Sequence, residues 1–288
     1  MDQSGLESAL AGLNLPSIRF CETTGSTNDD AWRWFDAGAP HCAVVVADAQ
    51  TSGRGRLHRR WVTVKESSIA FSILLLFPPL DDRVVNRLVG LGALAVCKAM
   101  QDAYHLPAHI KWPNDILLSR GKVAGVLVET RWQGEQLIAA VLGIGINIAP
   151  ASIDPVNLPL EGLAFPATCV ENELGGKVSR LELLYAVLNT LLNLLPVLSS
   201  AYLMKMWEVN LAFLNQWVEL SHDRSSRNSE KGVPHTGAQV GKVLGLEPDG
   251  SLKLLAQSGD FLKVPVGEIH INLLPGKPLP LMPDNVGG

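Results

Sequence analysis

Two long apolar segments joined by a tight turn constrain the fold of this chain most strongly. Residues 122–129 and 136–148 are largely apolar on both faces, and Trp132-Gln133-Gly134-Glu135 between them is a hairpin turn. The pattern predicts two adjacent strands of a buried sheet that are joined by this turn. The chain has 288 residues, of which 47% are hydrophobic, which is enough for such a core.

The remaining pattern mixes strands and helices and predicts an α+β main domain. Pro78-Pro79 is expected to end one apolar strand. The predicted strands are at residues 18–22, 42–47, 69–77, around Ile110 and at 116–118, and the predicted helices are at 28–37, 84–104, 180–199 and 202–215.

The composition changes after residue 220. Residues 221–233 are polar and rich in Ser and Arg, which is typical of a linker. Short strands separated by turns then predict a small all-β domain. We therefore predict a catalytic domain at 1–220, a linker at 221–233, a small β-barrel at 234–275 and a tail at 276–288.

Cysteines and terminal patterns narrow the class of protein. The four cysteines lie far apart and form no CxxC pair, which favours reduced thiols over a disulfide framework or a zinc site. Residues 1–16 lack the pattern of a signal peptide. Residues 183–204 are uncharged and long enough to cross a bilayer, but their polar residues share one helical face. We expect a soluble, cytoplasmic protein.

A glycine- and arginine-rich loop is the first candidate site. Glycines let the backbone approach a ligand closely, and arginine forks suit phosphate or carboxylate, in a chain whose net charge is -4. A solvated basic turn and a nucleic-acid contact are the alternatives. The loop contains Gln50, Gly53, Arg54, Gly55, Arg56, Arg59, Arg60 and Trp61.

The second candidate site is Lys111-Trp112-Pro113-Asn114-Asp115. Pro113 interrupts a central strand and forces a turn, which places a cation, an amide and a carboxylate close together. Such a group can hold phosphate, adenine and a metal-bound water. A surface turn with an ion pair is the alternative.

Two further candidates lie on the central hairpin itself. Lys122 opens an apolar strand, either as a charge that meets a ligand carboxylate or as a snorkelling edge residue. Gly125 leaves room for a ligand on the sheet. The Gly143-Ile144-Gly145-Ile146-Asn147 stretch is not a dinucleotide fingerprint, but its alternating glycines indicate close approach of a flat ligand.

Taken in order, these motifs resemble those of the biotin–protein ligase family in its short form. Ser26-Thr27-Asn28 resembles its opening element, and residues 53–61 resemble its GRGR…W loop. Residues 111–115 read KWPND, 122–129 read KxxGxLxE, and 143–147 read GxGxN. The resemblance covers about residues 18–147, and more loosely extends to 274.

The resemblance implies a fold and an activity. The fold would be a mixed sheet flanked by helices, similar to class II synthetases, with a small SH3-like β-barrel. The enzyme would form biotinyl-5′-AMP from biotin and ATP, with Mg²⁺ carried by ATP and no metal fixed by the protein. It would transfer biotin to a lysine of a biotin carboxyl carrier domain of a carboxylase. No DNA or membrane partner is expected, and the protein would be a monomer or homodimer.

The resemblance also implies roles for individual residues. Those expected at biotin are Ser26, Thr27, Asn28, Gln50, Gly53, Arg54, Gly55, Arg56, Lys122, Gly125 and Gly145. Those expected at ATP or the adenylate are Arg54, Arg56, Arg59, Trp61, Lys111, Asn114, Asp115 and Asn147. The expected catalytic residues are Arg56, Lys111, Asp115 and Lys122, with Asp115 a candidate to accept a proton from the acceptor lysine.

The chain also departs from the family pattern. His58 stands where a glycine is expected, and residues 63–66 read TVKE where the family usually has Ser-Pro and a glycine. There is no room before Ile18 for a DNA-binding helix-turn-helix, so a repressor function is not expected. The other hypotheses are a lipoate or octanoate ligase or transferase of the same fold, and a non-catalytic protein that is either a biotin sensor or a nucleic-acid binder.

Overall fold

The computed structural model describes residues 1–56, 59–80, 83–119, 121–153, 165–222, 239–265 and 269–273. The chain divides into two compact units. The first comprises Met1–Ala212 and Pro248–Gly250, and the second comprises Phe213–Glu247 and Ser251–Gly288. Each unit is built on one β-sheet.

The first unit contains a seven-stranded mixed sheet in the order β1-β2-β3-β7-β6-β5-β4. β1 and β2 are parallel, and every other neighbouring pair is antiparallel. The predicted hairpin is thus confirmed as β6 and β7 inside the sheet. The strands are β1 Ile18–Thr24, β2 Ala43–Gln50, β3 Ser68–Leu80, β4 His109–Lys111, β5 Asp115–Leu118, β6 Gly121–Gln133 and β7 Gln136–Asn147.

Helices cover both faces of this sheet, as the apolar hairpin requires. Val141 of β7 packs in a cluster with Ala31 and Trp34 on one side, while the adjacent Leu142 lies against Gly92 on the other. Successive side chains of a strand point to opposite faces, so the two helices involved lie on opposite sides. The helices are α1 Gln3–Leu10, α2 Thr27–Asp36, α3 Arg83–Tyr104, α4 Val170–Leu174, α5 Arg180–Leu194 and α6 Ala201–Val209.

Two helical segments are long and apolar enough to cross a membrane by length and composition alone, Val84–Tyr104 and Arg180–Val197. Within the hydrophobic window of the first, 72% is buried inside the protein. Core helices pass the same test, so this finding is weak evidence for a membrane span.

The second unit contains a five-stranded antiparallel sheet in the order β11-β10-β9-β8-β12. It confirms the predicted all-β appendage. Its strands are β8 Trp217–His222, β9 Gln239–Leu246, β10 Leu252–Ala256, β11 Phe261–Val264 and β12 Ile269–Leu273.

The predicted domain boundary at residue 220 differs from the division after Ala212. β8 pairs with β9 and β12, so Trp217 begins the five-stranded sheet and the first two predicted linker residues extend its strand. Residues 223–233 and the tail 276–288 lie outside the described residues.

Several predicted element ends were wrong. β3 continues to Leu80, and its pairing with β7 shifts register between Leu76 and Leu80, where an irregularity accommodates the prolines. The helix predicted to residue 199 ends at Leu194, just before a 3-10 turn that contains Pro196. The helix predicted to residue 215 ends at Val209. The short helices α1 and α4 had not been predicted.

Helix α1 lies along the outer strand of the large sheet. The side chain of Gln3 donates from Nε2 to the Ile18 carbonyl at 3.0 Å and accepts at Oε1 from the Phe20 N–H at 2.7 Å. An edge strand has unpaired backbone groups on its outer side. One amide side chain therefore satisfies one donor and one acceptor of β1.

Candidate active site

A pair of glycines forms a flat area on the central hairpin. Gly125 of β6 is directly opposite Gly145 of β7, and the indole of Trp61 lies over both. A Cβ added at Gly145 would come 2.3 Å from Trp61 Nε1, and one at Gly125 would lie 3.4 Å from the Trp61 ring. At Gly145, only glycine permits this approach. Among the described residues, Trp61 Nε1 is buried without a hydrogen-bond partner.

A neutral pocket lies at the N-terminus of α2 and consists of Ser26, Thr27, Asn28, Gln50 and Ser72. Gln50 Oε1 accepts from the Thr27 N–H at 2.9 Å and from its hydroxyl at 3.2 Å. The Ser72 hydroxyl lies 2.7 Å from Thr27 Oγ1 and 2.6 Å from Asn28 Oδ1. The predicted opening motif and Gln50 are therefore brought together.

The neutral pocket keeps polar atoms for a ligand. Ser26 is the N-cap residue of α2 but makes no side-chain cap bond, and it is buried. Asn28 Nδ2 is buried and has no partner within the described part of the chain. Gly143 makes room for Asn28, because a Cβ there would lie 2.2 Å from Asn28 Oδ1. A hydroxyl that is not used as a cap and a buried amide donor without a partner among the described residues therefore lie at the start of α2.

A cationic cluster, formed by Arg56, Lys111 and Lys122 around Asp115, lies at the glycine pair. Lys122 Nζ is 2.6 Å from Asp115 Oδ1 and 5.6 Å from the centre of the Trp61 ring. The two strands pair Asp115 directly with Gly125. The predicted KWPND turn and KxxG strand therefore contribute to one site.

Burial and charge oppose each other in this cluster. Burial raises the pKa of Asp115, but Lys122, Lys111 and Arg56 outweigh it, and the pKa lies below its usual range. Burial lowers the pKa of Lys111, although Asp115 acts in the other direction. Burial also lowers the pKa of Arg56. One carboxylate thus sits among several cations, a site with a surplus of positive charge.

Two asparagines fix the backbone around the cluster. Asn114 donates from Nδ2 to the Val126 carbonyl at 2.9 Å, and its Oδ1 accepts from Arg56 Nη1 at 3.1 Å. The Trp112–Pro113 peptide bond next to it is cis. Asn147 is buried and donates from Nδ2 to the Thr168 carbonyl at 3.2 Å.

The arginine loop is a narrow hairpin, although Leu57 and His58 lie outside the described residues. The Trp61 N–H donates to the Gly53 carbonyl at 2.9 Å, and the Gly55 N–H donates to the Arg59 carbonyl at 2.7 Å. A Cβ at Gly53 would lie 2.5 Å from the Trp61 carbonyl oxygen. The hairpin therefore places Trp61 over the sheet.

Arg54 lies apart from the cationic cluster. Its guanidinium makes a bidentate contact with Asp29 at 2.7 and 2.6 Å and reaches Glu129 Oε1 at 3.0 Å. Those two carboxylates raise the pKa of Arg54. We expected Arg54 at the ligand, whereas its fork is engaged by protein carboxylates.

Several residues of the site were missed from the sequence. Ser72 is one of two serines in the otherwise apolar β3, and its place between Phe71 and Ile73 was the available signal. Thr63 accepts from Gln50 Nε2 at 3.0 Å. Thr168 bonds to both Lys122 and Asn147, and Phe165 lies 5.2 Å from Lys111 Nζ; no sequence pattern marked them.

Comparison with known proteins places this chain among protein ligases. The model of the Biotin/lipoate A/B protein ligase family matches residues 20–147. The biotin--[acetyl-CoA-carboxylase] ligase of Paracoccus denitrificans is 31% identical over 256 residues, which cover 85% of this chain and 97% of that protein. The chain belongs to the biotin/lipoate A/B protein ligase family.

Further relatives are also named as ligases. The bifunctional ligase/repressor BirA of Bacillus subtilis is 32% identical over 184 residues, which span 64% of this chain but only 54% of that protein. The solved biotin protein ligase of Aquifex aeolicus, in complex with biotin and ATP, is 26% identical with a TM-score of 0.70. That match covers 90% of this chain and 100% of the solved one.

Proposed function

We propose that the protein is an ATP-dependent biotin–protein ligase. It forms biotinyl-5′-AMP from biotin and MgATP and then transfers the biotinyl group to a lysine of a biotin carboxyl carrier domain. The observation that carries this proposal is the junction of the neutral pocket and the cationic cluster across the Gly125–Gly145 pair. Such a site suits a ligand with a neutral polar ring at one end and an anion at the other.

The neutral pocket suits the ureido ring of biotin. That ring presents N–H donors and a carbonyl acceptor, which require partners when buried. Asn28 Nδ2 is a buried donor with no partner among the described residues, and the Ser26 hydroxyl is not used as a cap. Thr27 and Gln50 complete the polar rim. The indole of Trp61 and the glycine pair provide apolar surface for the rest of the ligand.

The cationic cluster suits the first chemical step. A carboxylate oxygen of biotin attacks the α-phosphorus of ATP, the bond from that phosphorus to the α,β-bridging oxygen breaks, and pyrophosphate leaves with that oxygen. Two anions must approach, so fixed cations stabilise the transition state. We assign this role to Lys122, Lys111 and Arg56. Arg56 contacts the neutral Asn114 side chain, an interaction that does not cancel its charge.

The nucleotide brings its own magnesium in this proposal. Across the described ranges there is no group of three His, Cys, Asp or Glu that could hold a metal ion, and Asp115 is already paired with Lys122. Oxygen ligands from ATP phosphates are the usual partners of Mg²⁺. Asn114 and Asn147 are assigned to ATP, and Arg59 and Trp61 to the adenylate.

The second step uses the same centre. The ε-amine of the acceptor lysine attacks the acyl carbon of biotinyl-5′-AMP, AMP leaves, and the nitrogen loses a proton. Asp115 is the candidate acceptor for that proton. Because its pKa is held below the usual range, Asp115 is ionised at neutral pH and can also orient the incoming amine.

A lipoate or octanoate ligase is the competing function within the family. A fatty acyl chain needs an apolar tunnel, whereas the pocket here is lined by Thr27, Asn28 and Ser72 hydrogen-bonding groups. Cytoplasmic location, a carrier-domain partner and a monomeric or homodimeric state remain predictions that follow from the biotin ligase proposal.

Calorimetric titration of biotin with and without MgATP tests the proposal, followed by mass spectrometry of the bound product. We expect biotin-dependent release of pyrophosphate and recovery of biotinyl-5′-AMP. Addition of a carrier domain should then yield biotinylated lysine. Octanoate added in competition should not reduce the rate. Pyrophosphate release with octanoate but not with biotin would refute the proposal, and biotin binding without adenylate would indicate a sensor.

A further inference from the structure

The side chain of Arg54, in the arginine loop, is held by two carboxylates. Its guanidinium spans two elements, because Asp29 lies in the first turn of α2 and Glu129 lies on β6. The contact with Asp29 is bidentate, at 2.7 and 2.6 Å, and the contact with Glu129 is 3.0 Å. A bidentate fork fixes direction as well as distance.

Both carboxylates are themselves held. Glu129 Oε2 accepts from Trp32 Nε1 at 3.1 Å, so its second oxygen is oriented towards Arg54. Asp29 sits in the first turn of a helix, where a negative charge is favoured by the helix dipole. The side chain of Arg54 is 39% exposed, compared with 47% for Asp29 and 27% for Glu129. The network is therefore partly shielded from water.

The network is attached to the base of the arginine hairpin. Arg54 forms an antiparallel bridge with Arg60, and the neighbouring Gly53 carbonyl accepts from the Trp61 N–H. Fixing Arg54 thus fixes the strand-like arm from which Trp61 reaches the sheet. Arg56 lies two residues further along the same arm, and its Nη1 donates to Asn114 Oδ1.

We propose that Arg54 is a positioning residue, held by Asp29 and Glu129 as a latch that keeps the arginine hairpin in its binding geometry without ligand. Arg54 acts through Trp61 and Arg56 and does not itself contact the acyl or phosphoryl group. The proposal rests on the proposed function for its effect on biotin, while the latch itself is a property of the protein alone.

Arg54 and Arg56 of the hairpin therefore have opposite tasks. Arg54 is paired with two carboxylates, which raise its pKa, whereas Arg56 lies beside a neutral amide, and burial lowers its pKa although Asp115 acts in the other direction. A guanidinium already neutralised contributes little to an anionic transition state. A guanidinium that is shielded from water and lies among other cations contributes strongly to stabilising an anionic transition state.

The test is the double variant Asp29→Asn with Glu129→Gln, which keeps the shapes of both side chains and removes both charges. Asp36→Asn is the matched control, because Asp36 pairs with Arg131 and so also joins α2 to β6, but it does not touch the hairpin. All the arginines of the hairpin remain in both variants. Trypsin cleavage of the hairpin in the absence of ligand reports whether the latch is closed.

We expect the double variant to be cleaved roughly tenfold faster than wild type, which corresponds to about 1.4 kcal/mol, while the control is cleaved at the wild-type rate. The KM for biotin in pyrophosphate release should rise by a similar factor, with a smaller change in kcat. Arg54→Lys, which keeps the charge but loses the fork, should give an intermediate KM. Thermal unfolding of each variant checks that the fold is intact.

Equal cleavage of the double variant and wild type would overturn the latch, whatever the activity. A variant Arg54→Met with a large loss of kcat, beside a double variant with normal kcat and KM, would show that Arg54 acts on the ligand directly. Failure of the proposed function is separate, since wild-type protein would then make no biotinyl-5′-AMP while the cleavage difference persisted.

Discussion

The neutral pocket and the cationic cluster lie on the same sheet but are built in different ways. In the pocket, Thr27, Asn28 and Ser72 are 4% exposed or less, and they are held by short hydrogen bonds between uncharged groups. In the cluster, Lys122 and Asp115 are 26% and 20% exposed in their side chains and are held by charge.

This difference predicts how the pocket and the cluster each respond to substitutions. A buried neutral network is sensitive to any lost partner, because an unsatisfied polar atom has no access to water. A partly exposed charged group tolerates changes in side-chain shape better, but its function is sensitive to the sign and the position of the charge. Mutations should therefore affect stability in the pocket and catalytic rate in the cluster.

Removal of the Lys122 charge should produce the largest effect, and this effect should be on the rate of the first reaction step. In Lys122→Met, biotin-dependent pyrophosphate release is expected to slow by about 10²–10³-fold, the range found when one donor to a developing charge is removed. Lys98→Met is the control, because Lys98 makes an exposed pair with Asp102 on α3. A rate within threefold of wild type would contradict the role assigned to Lys122.

A methyl group at the glycine pair tests the contact between the two regions. In Gly145→Ala the added Cβ would lie 2.3 Å from Trp61 Nε1, so the indole must move. We expect a stability loss of about 1–3 kcal/mol and a fall in biotin affinity of roughly 10–100-fold. Gly176→Ala should leave both unchanged, since nothing lies within 4 Å of a Cβ there. Calorimetry and urea unfolding measure the two effects, and normal biotin affinity would refute the contact.

The smaller neutral change Ser72→Ala should act mainly on stability. The Ser72 hydroxyl is buried and lies between Thr27 and Asn28, so its loss leaves Asn28 Oδ1 without that partner. We expect the free energy of unfolding to fall by about 1–2 kcal/mol. Ser258→Ala, in an exposed turn contact with Asp260, is the control and should stay close to wild type. If both variants unfold at the same urea concentration, the pocket network is not stabilising.

The smallest expected effect is the acid dependence of stability. The pKa of Asp115 in the folded chain lies below the usual range of an aspartate, so the ionised group contributes stability above that range, and this stability is lost as the pH falls. The free energy of unfolding of wild type should therefore fall more steeply than that of Asp115→Asn between about pH 4 and pH 2. Parallel slopes in urea unfolding across this range would mean that Asp115 is not stabilised by its cations.

Much of the fold followed from local pattern. The helix predicted at residues 84–104 and the hairpin around Gly134 have strong periodicity and clear turn signals, and both are present. The predicted strand end at Pro78 was wrong because a proline can lie at an irregularity in the pairing without ending the strand. Helix α4, Val170–Leu174, is five residues long, too short for a periodic signal.

The sequence motifs predicted the residues of the site, but they did not predict which of these residues contact one another. Residues such as Lys122 and Asp115 were predicted to be functional, and the structure pairs them. The engagement of Arg54 by Asp29 and Glu129 joins parts of the chain far apart in sequence, which no local spacing encodes. Glu66 has a left-handed backbone, with φ +64, although it is not a glycine. It lies in the segment 63–66, where the family usually carries a glycine.

The hydrogen bonds from Gln3 to β1 bear on how the protein behaves at high concentration. A bare outer strand is a template on which a strand of another molecule can add, and such addition leads to aggregation. Because the Gln3 amide occupies the Ile18 carbonyl and the Phe20 N–H, an incoming strand cannot pair with these two groups at the start of β1. A single side chain of helix α1 thus takes two of the bonding positions that a neighbouring strand would use.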